Sequence, residues 1–451
     1  MDIQARLIDT LGQDAVVARE AIGPEQQGQI KRALLSGADP DAKEALPSCL
    51  VLPSTTADLG QVMALATEYG WRVLPMGGGS KLGWGGLAEG VDIALSTARL
   101  NRVVEHAVGD FTVTVEAGMR FADLQALLAE QRQFLAVDPA FAATATVGGI
   151  VATADAGSLR QRYGGLRDML IGVAFVRYDG KVARAGGRVV KNVAGYDLMK
   201  LMTGAYGSLG ILSELTFRLY PMQAVSRTIL LSGGEQAVTQ AIAEVRMSGL
   251  TPVALDLTLS PLAATLTEGL ASPVKVAGQM ALVARFQGIS AGVEEQTERL
   301  QKVGKFHDLH YQPLEGEADA AFWQRVSELI EPGTVLCKVG MRPSAVPALL
   351  ALLDGLAAAG CEGLMHSSSG LGWVQWKRGE KLEGIKEEIE VVRSHCQENG
   401  GFLTVLQAPV ALKQAMDVWG YRGNALKVMS DIKEKFDPQR LLSPGRFVGG
   451  L

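Results

Sequence analysis

The sequence predicts an α+β fold in more than one structural unit, and three observations carry that prediction. From Cys49 onward, apolar strand-like runs alternate with helical patterns. After Tyr220-Pro221 the chain turns to longer helical patterns separated by apolar runs, and two segments of the first half consist almost wholly of small residues. A chain of 451 residues has the length for two or three units. Its 53 glycines exceed average usage, so glycine must have local roles.

Residues 1–46 read as a polar, helix-rich lead-in, with Ile30, Ala33 and Leu34 marking one amphipathic set of turns. A strand is expected at 49–53, then a helix capped by Thr55 or Thr56, running through Glu68 and ended by Gly70. The next strand, 71–75, feeds directly into Met76-Gly77-Gly78-Gly79-Ser80-Lys81. Further strands are expected at 92–95, 112–116, 169–178, 182–185 and 209–219, with a helix at 121–131. Beyond Pro221, helices at 241–247, 294–303, 318–330 and 343–359 alternate with strands near 281–286, 334–339 and 373–376. A helix at 424–435 stops at Phe436-Asp437-Pro438, and Ser443-Pro444-Gly445-Arg446-Phe447 follows as an extended tail. The expected division is therefore 1–46, 47–224, 225–423 and 424–451, the last returning to the second. No internal repeat is visible.

A net charge of -5 without a long run of like charges gives no footprint for nucleic acid or anionic lipid. The first residues lack a basic segment followed by an apolar stretch, and no window approaches the length of a spanning helix. A cytoplasmic protein is expected, peripheral to the inner face of a membrane only through partners. Cys49, Cys337, Cys361 and Cys396 never form a CxxC pair, so no zinc ribbon or iron–sulfur ligand set is encoded. Of the five histidines only His307 and His310 come close to ligand spacing, without a further ligand nearby, and no metal is expected.

Gly77-Gly78-Gly79-Ser80 follows a strand, where consecutive glycines can reach positive φ and leave backbone N–H groups uncovered. Such a nest suits a diphosphate, although a plain turn uses glycine as well. The second segment, 144–157, is nearly all Thr, Ala, Val and Gly around Gly148-Gly149. Two such loops suggest one large ligand gripped from both sides. Neither is a P-loop, and Gly204, Gly207 and Gly210 are spaced GxxGxxG, so the Walker and Rossmann readings are weak.

The succession from Pro75 to Ser80, then Thr146-Val147-Gly148-Gly149 to Gly157, then Arg162-Tyr163-Gly164 and Arg167-Asp168, resembles the FAD-binding domain of the vanillyl-alcohol oxidase or PCMH flavoprotein family. The run Lys191-Asn192-Val193-Ala194-Gly195-Tyr196-Asp197 is similar to the FAD-binding E subunits of glycolate oxidase (dehydrogenase). The resemblance implies two α+β subdomains enclosing FAD and a C-terminal α+β cap domain. It implies FAD contacts from Pro75, Gly77, Gly78, Gly79, Ser80, Thr146, Val147, Gly148, Gly149, Thr153, Gly157, Gly164 and Ile211. Members that tether flavin through the first loop place histidine where Ser80 stands, so non-covalent FAD is expected.

The resemblance further implies a 2-hydroxyacid such as glycolate or D-lactate as substrate, with a homologous D-type FAD subunit and an iron–sulfur F-type subunit as partners. Related dehydrogenases hold the substrate with a metal-bound histidine pair and a Glu-His pair. His366 falls where the first histidine would stand, but Trp373 occupies the second position and 400–405 contains no Glu-His. One imidazole cannot build that site. His366 is then either a base or a buried structural histidine. Lys338 matches a basic residue facing the substrate carboxylate, or is an ordinary strand lysine, and Tyr196 is a second candidate base. The missing residues favour a partner as the site of substrate oxidation.

Overall fold

Local capping sets the first long helix of the chain. The Thr55 side chain accepts from the Asp58 N–H at 3.1 Å while Asp58 accepts from the Thr55 N–H at 3.0 Å, a capping box at the start of Thr56–Tyr69. Gly70, at φ 71°, ends the helix in the left-handed conformation. Leu59, Val62, Met63 and Ala66 lie on its buried face and pack with Cys49, Val51, Val73, Ile93 and Leu95 of the neighbouring sheet. The computed structural model describes residues 2–38, 46–189, 195–270, 275–331, 333–356, 360–377 and 384–451.

The chain divides into two compact units, one made of Met1–Ala156, Gly165–Pro221 and Pro409–Leu451, the other of Gly157–Gly164 and Met222–Ala408. The first unit holds a four-stranded sheet in the order Val16–Ala18, Cys49–Val51, Ile93–Ser96, Val73–Met76, whose last three strands are parallel. It also holds a five-stranded antiparallel sheet in the order Val103–Ala107, Thr112–Glu116, Ile211–Arg218, Leu170–Val176, Val182–Gly186. Val16–Ala18 draws the expected lead-in into the first sheet, and Leu7, Ile22 and Ile30 are fully or nearly fully buried. The C-terminal tail adds to that sheet's edge, where Val73 N–H donates to Leu441 O and Ser443 N–H donates to Val73 O. The expected boundary at 423/424 falls instead at 408/409.

The second unit is built on one eight-stranded sheet in which every pairing is antiparallel. Its order is His310–Glu315, Val225–Gly233, Met280–Gly288, Ala254–Leu259, Cys361–His366, Leu371–Trp376, Val335–Gly340, Phe402–Gln407. Each half places its own four strands in the spatial order fourth, first, third, second, with a helix after the first and third strands. The unit is thus a structural duplication, which the sequence reading did not find. The halves meet along the register Asp256↔His366, Leu257↔Met365 and Thr258↔Leu364.

Candidate cofactor cleft

The small-residue loops of the first unit come together. A Cβ on Gly77 would stand 2.1 Å from Thr146 Oγ1, and one on Gly78 would stand 3.0 Å from Thr144 O, so the first loop lies against the second with no room for side chains. Thr146 caps Val147–Thr153 by accepting from the Gly149 N–H, and Thr153 Oγ1 donates to Gly149 O at 2.8 Å. Gly148 has a different task. Its N–H donates to Ala117 O at 2.8 Å, and a Cβ there would stand 2.7 Å from that oxygen, so glycine permits the close approach of two backbones.

An open cleft of about 800 Å³ lies between these loops and a third segment around Tyr206, Gly207 and Gly210. All the cofactor contacts expected from the sequence line it except Val147, which is buried in the core, and Gly157 and Gly164, which pack with the second unit. Lys191 to Ala194 lie outside the described residues. The third segment carries the GxxGxxG spacing rejected as a Rossmann loop. Gly204 N–H donates to Val151 O and Tyr206 N–H to Ala152 O, both at 2.9 Å, which pins it to the end of the second loop.

Two buried cations line the same cleft. Arg446, 3% exposed, donates from Nη2 to Trp84 O at 2.7 Å, while Nε has no partner and no carboxylate pairs with it among the described residues. Burial lowers its pKa to about 10. Lys81 is equally buried and sits 2.9 Å from Asp155; burial lowers its pKa and Asp155 opposes the shift. The phenol of Tyr206 is pushed up by burial, and its ring meets Trp419 edge-on at 5.1 Å. The main-chain N–H groups of Gly77, Gly78, Gly79 and Ser80 donate no hydrogen bond among the described residues. Orphan amides and an unpaired guanidinium fit the diphosphate and electron-rich ring edge of a flavin dinucleotide.

The expected catalytic residues are not gathered here. Tyr196, in the first unit, is 89% exposed and does not line the cleft. His366 and Lys338 share one face of the second unit's sheet, since Lys338 stands opposite Trp373, Trp373 opposite Leu364, and His366 follows two residues on. Lys338 is half-buried. His366 is buried, and its Nδ1 lies 2.8 Å from Asp256 Oδ1, while Ser158 Oγ donates to Asp256 Oδ2. Asp256, completely buried, is a partner that no motif or spacing in the sequence marks. Among the described residues no group of three or more His, Cys, Asp and Glu is placed to hold a metal ion.

The fold is the PCMH-type FAD-binding fold. The family model described as "FAD binding domain" matches residues 47–186. A solved p-cresol methylhydroxylase with substrate bound superposes with a TM-score of 0.76 at 17% identity, covering 98% of this chain and 95% of that one, which speaks for the fold alone. The chain is similar to glycolate oxidase subunit GlcD of Bacillus subtilis, 23% identical over 423 residues and 89% of each chain. It is also similar to glycolate oxidase subunit GlcE of Escherichia coli, 34% identical over 149 residues, 33% of this chain and 43% of that one. The chain is an FAD-dependent oxidoreductase related to glycolate oxidase subunits. The similarity runs the length of GlcD and only part of GlcE, so the E-type assignment suggested by Lys191 to Asp197 does not follow from it. Among the described residues no helix is long and apolar enough to cross a membrane.

Proposed function

We propose that this chain is an FAD-carrying subunit of a glycolate (2-hydroxyacid) dehydrogenase assembly, working with a homologous D-type flavin subunit and an iron–sulfur F-type subunit. Bound FAD supplies acceptance of the α-hydrogen with its electron pair and one-electron delivery onward. The chain's own part is to bind and orient: the amides of Gly77 to Ser80 and the guanidinium of Arg446 hold the cofactor's electron-rich groups. Ser80 in place of histidine, and a cleft lining without histidine or cysteine among the described residues, support non-covalent FAD.

The observation that carries the subunit reading is the environment of His366. Its Nδ1 is committed to Asp256, and Trp373 stands where a second ligand would be needed, so the residues present do not build a substrate-holding metal site. Substrate oxidation then falls mainly to the partner flavin subunit, and this chain relays electrons or scaffolds the assembly. Copurification on a tagged chain tests this: flavin bands with added iron–sulfur absorption in the eluate are expected, and a lone yellow chain contradicts it. A self-sufficient oxidase, with His366 as base and Lys338 facing the substrate carboxylate, is the second reading, favoured by their shared sheet face. It predicts bleaching of the isolated chain's flavin by glycolate or D-lactate.

A further inference from the structure

Lys81 and Asp155 each sit at the edge of a small-residue loop, Lys81 directly after Ser80 and Asp155 directly after Ala154, the left-handed C-cap of Val147–Thr153. Their ion pair therefore ties the two loops together. The Lys81 side chain is only 3% exposed, and an ammonium has three N–H donors. Asp155 Oδ2 is its partner at 2.9 Å, and that same oxygen already accepts from the Ala140 N–H at 2.9 Å. No other acceptor for the Lys81 ammonium exists among the described residues, and the Trp84 ring, 5.6 Å away, closes one side. A buried ammonium with unmet donors is costly unless a ligand meets them. Lys81 lines the cleft, so a ligand there is within its reach.

We propose that Lys81 is a direct ligand of FAD, donating to the cofactor's acceptor atoms, while Asp155 competes with the cofactor for the ammonium's donors. The proposal rests on the assignment of FAD to this cleft. It separates from a plain loop clamp because the two partners then have opposite effects. Removing Lys81 takes away a donor; removing the Asp155 charge releases one.

The test is FAD titration into deflavinated protein for wild type, Lys81→Met, Asp155→Asn and Gly77→Val, with thermal melting of each apo-protein to show that it is folded. Lys81→Met should weaken FAD by about 10- to 100-fold, the worth of a charge-assisted hydrogen bond. Asp155→Asn should bind FAD as tightly as wild type or tighter, while its apo-protein melts lower because the ammonium has lost its partner. Lys81→Met binding within twofold of wild type, or equal weakening by both substitutions, overturns the proposal. ADP, which has the diphosphate without the flavin ring, locates the acceptor. An equal loss of ADP affinity in Lys81→Met places it on the diphosphate, whereas unchanged ADP affinity with a lowered flavin midpoint potential places it on the ring edge. If folded Gly77→Val binds FAD normally, the cleft assignment itself fails. If only Gly77→Val loses FAD, the cleft stands and Lys81 is not a ligand.

Discussion

The C-terminal tail and the cleft each bury a lysine, and the two are satisfied very differently. Lys433 Nζ donates to Ser208 O, Leu442 O and Asp437 Oδ2 at 2.8, 2.8 and 2.6 Å, so all three of its donors are met. Asp437, fully buried, in turn accepts from the N–H groups of Leu441 and Leu442. Among the described residues Lys81 has one carboxylate oxygen and no more. Burial lowers the pKa of both. A closed network of this kind is structural, fixing the tail against the third loop. An open one beside a cleft marks where a ligand completes the set.

The largest effect should come from breaking the closed network. Lys433→Met leaves Asp437 buried and charged, and should cost about 3–5 kcal/mol in denaturant unfolding; Lys433→Met combined with Asp437→Leu should recover part of it. A loss below 1 kcal/mol would remove the contrast between the two lysines. Next is Gly148→Val, which drives Cβ into Ala117 O and should cost about 1–3 kcal/mol and shed flavin, whereas Gly109→Ala, with open space around it, should melt within a degree or two of wild type. Asp256→Asn tests whether the seam of the duplicated sheet behaves like the tail. It keeps the shape but weakens the bonds to His366 and Ser158, and about 1 kcal/mol is expected with flavin content unchanged. The smallest effect belongs to the cysteines. Burial pushes the Cys49 and Cys396 thiols up to about 12, so native protein at pH 8 should take up no alkylating reagent at either site over hours, as mass spectrometry would show.

The cleft was legible in the sequence where small residues serve backbone geometry. Gly77, Gly78, Thr146 and Gly149 announce loops that must approach closely, and such loops are local in sequence. Lys81 and Arg446 stood in plain sight as residues, but their burial and the state of their partners come from packing. The GxxGxxG spacing of the third segment fits no Rossmann loop, although the segment takes part in the flavoprotein resemblance through Ile211, and Gly207 and Gly210 line the cleft through tertiary placement. In the second unit the reading missed Val225–Gly233, Ala254–Leu259, His310–Glu315, Cys361–His366 and Phe402–Gln407. Ala254–Leu259 is buried throughout and His310–Glu315 is mostly half-buried, so neither shows clean alternation. The duplication stayed hidden because a shared strand order constrains burial, not residue identity.

The central claim is that three small-residue segments of one unit surround FAD. Hydrogen–deuterium exchange of apo- and holoprotein tests it most directly. Protection on adding FAD should concentrate in residues 77–81, 146–153 and 205–211, with Gly77 to Ser80 changing most. Unchanged exchange in those segments, with protection appearing elsewhere, would contradict the account.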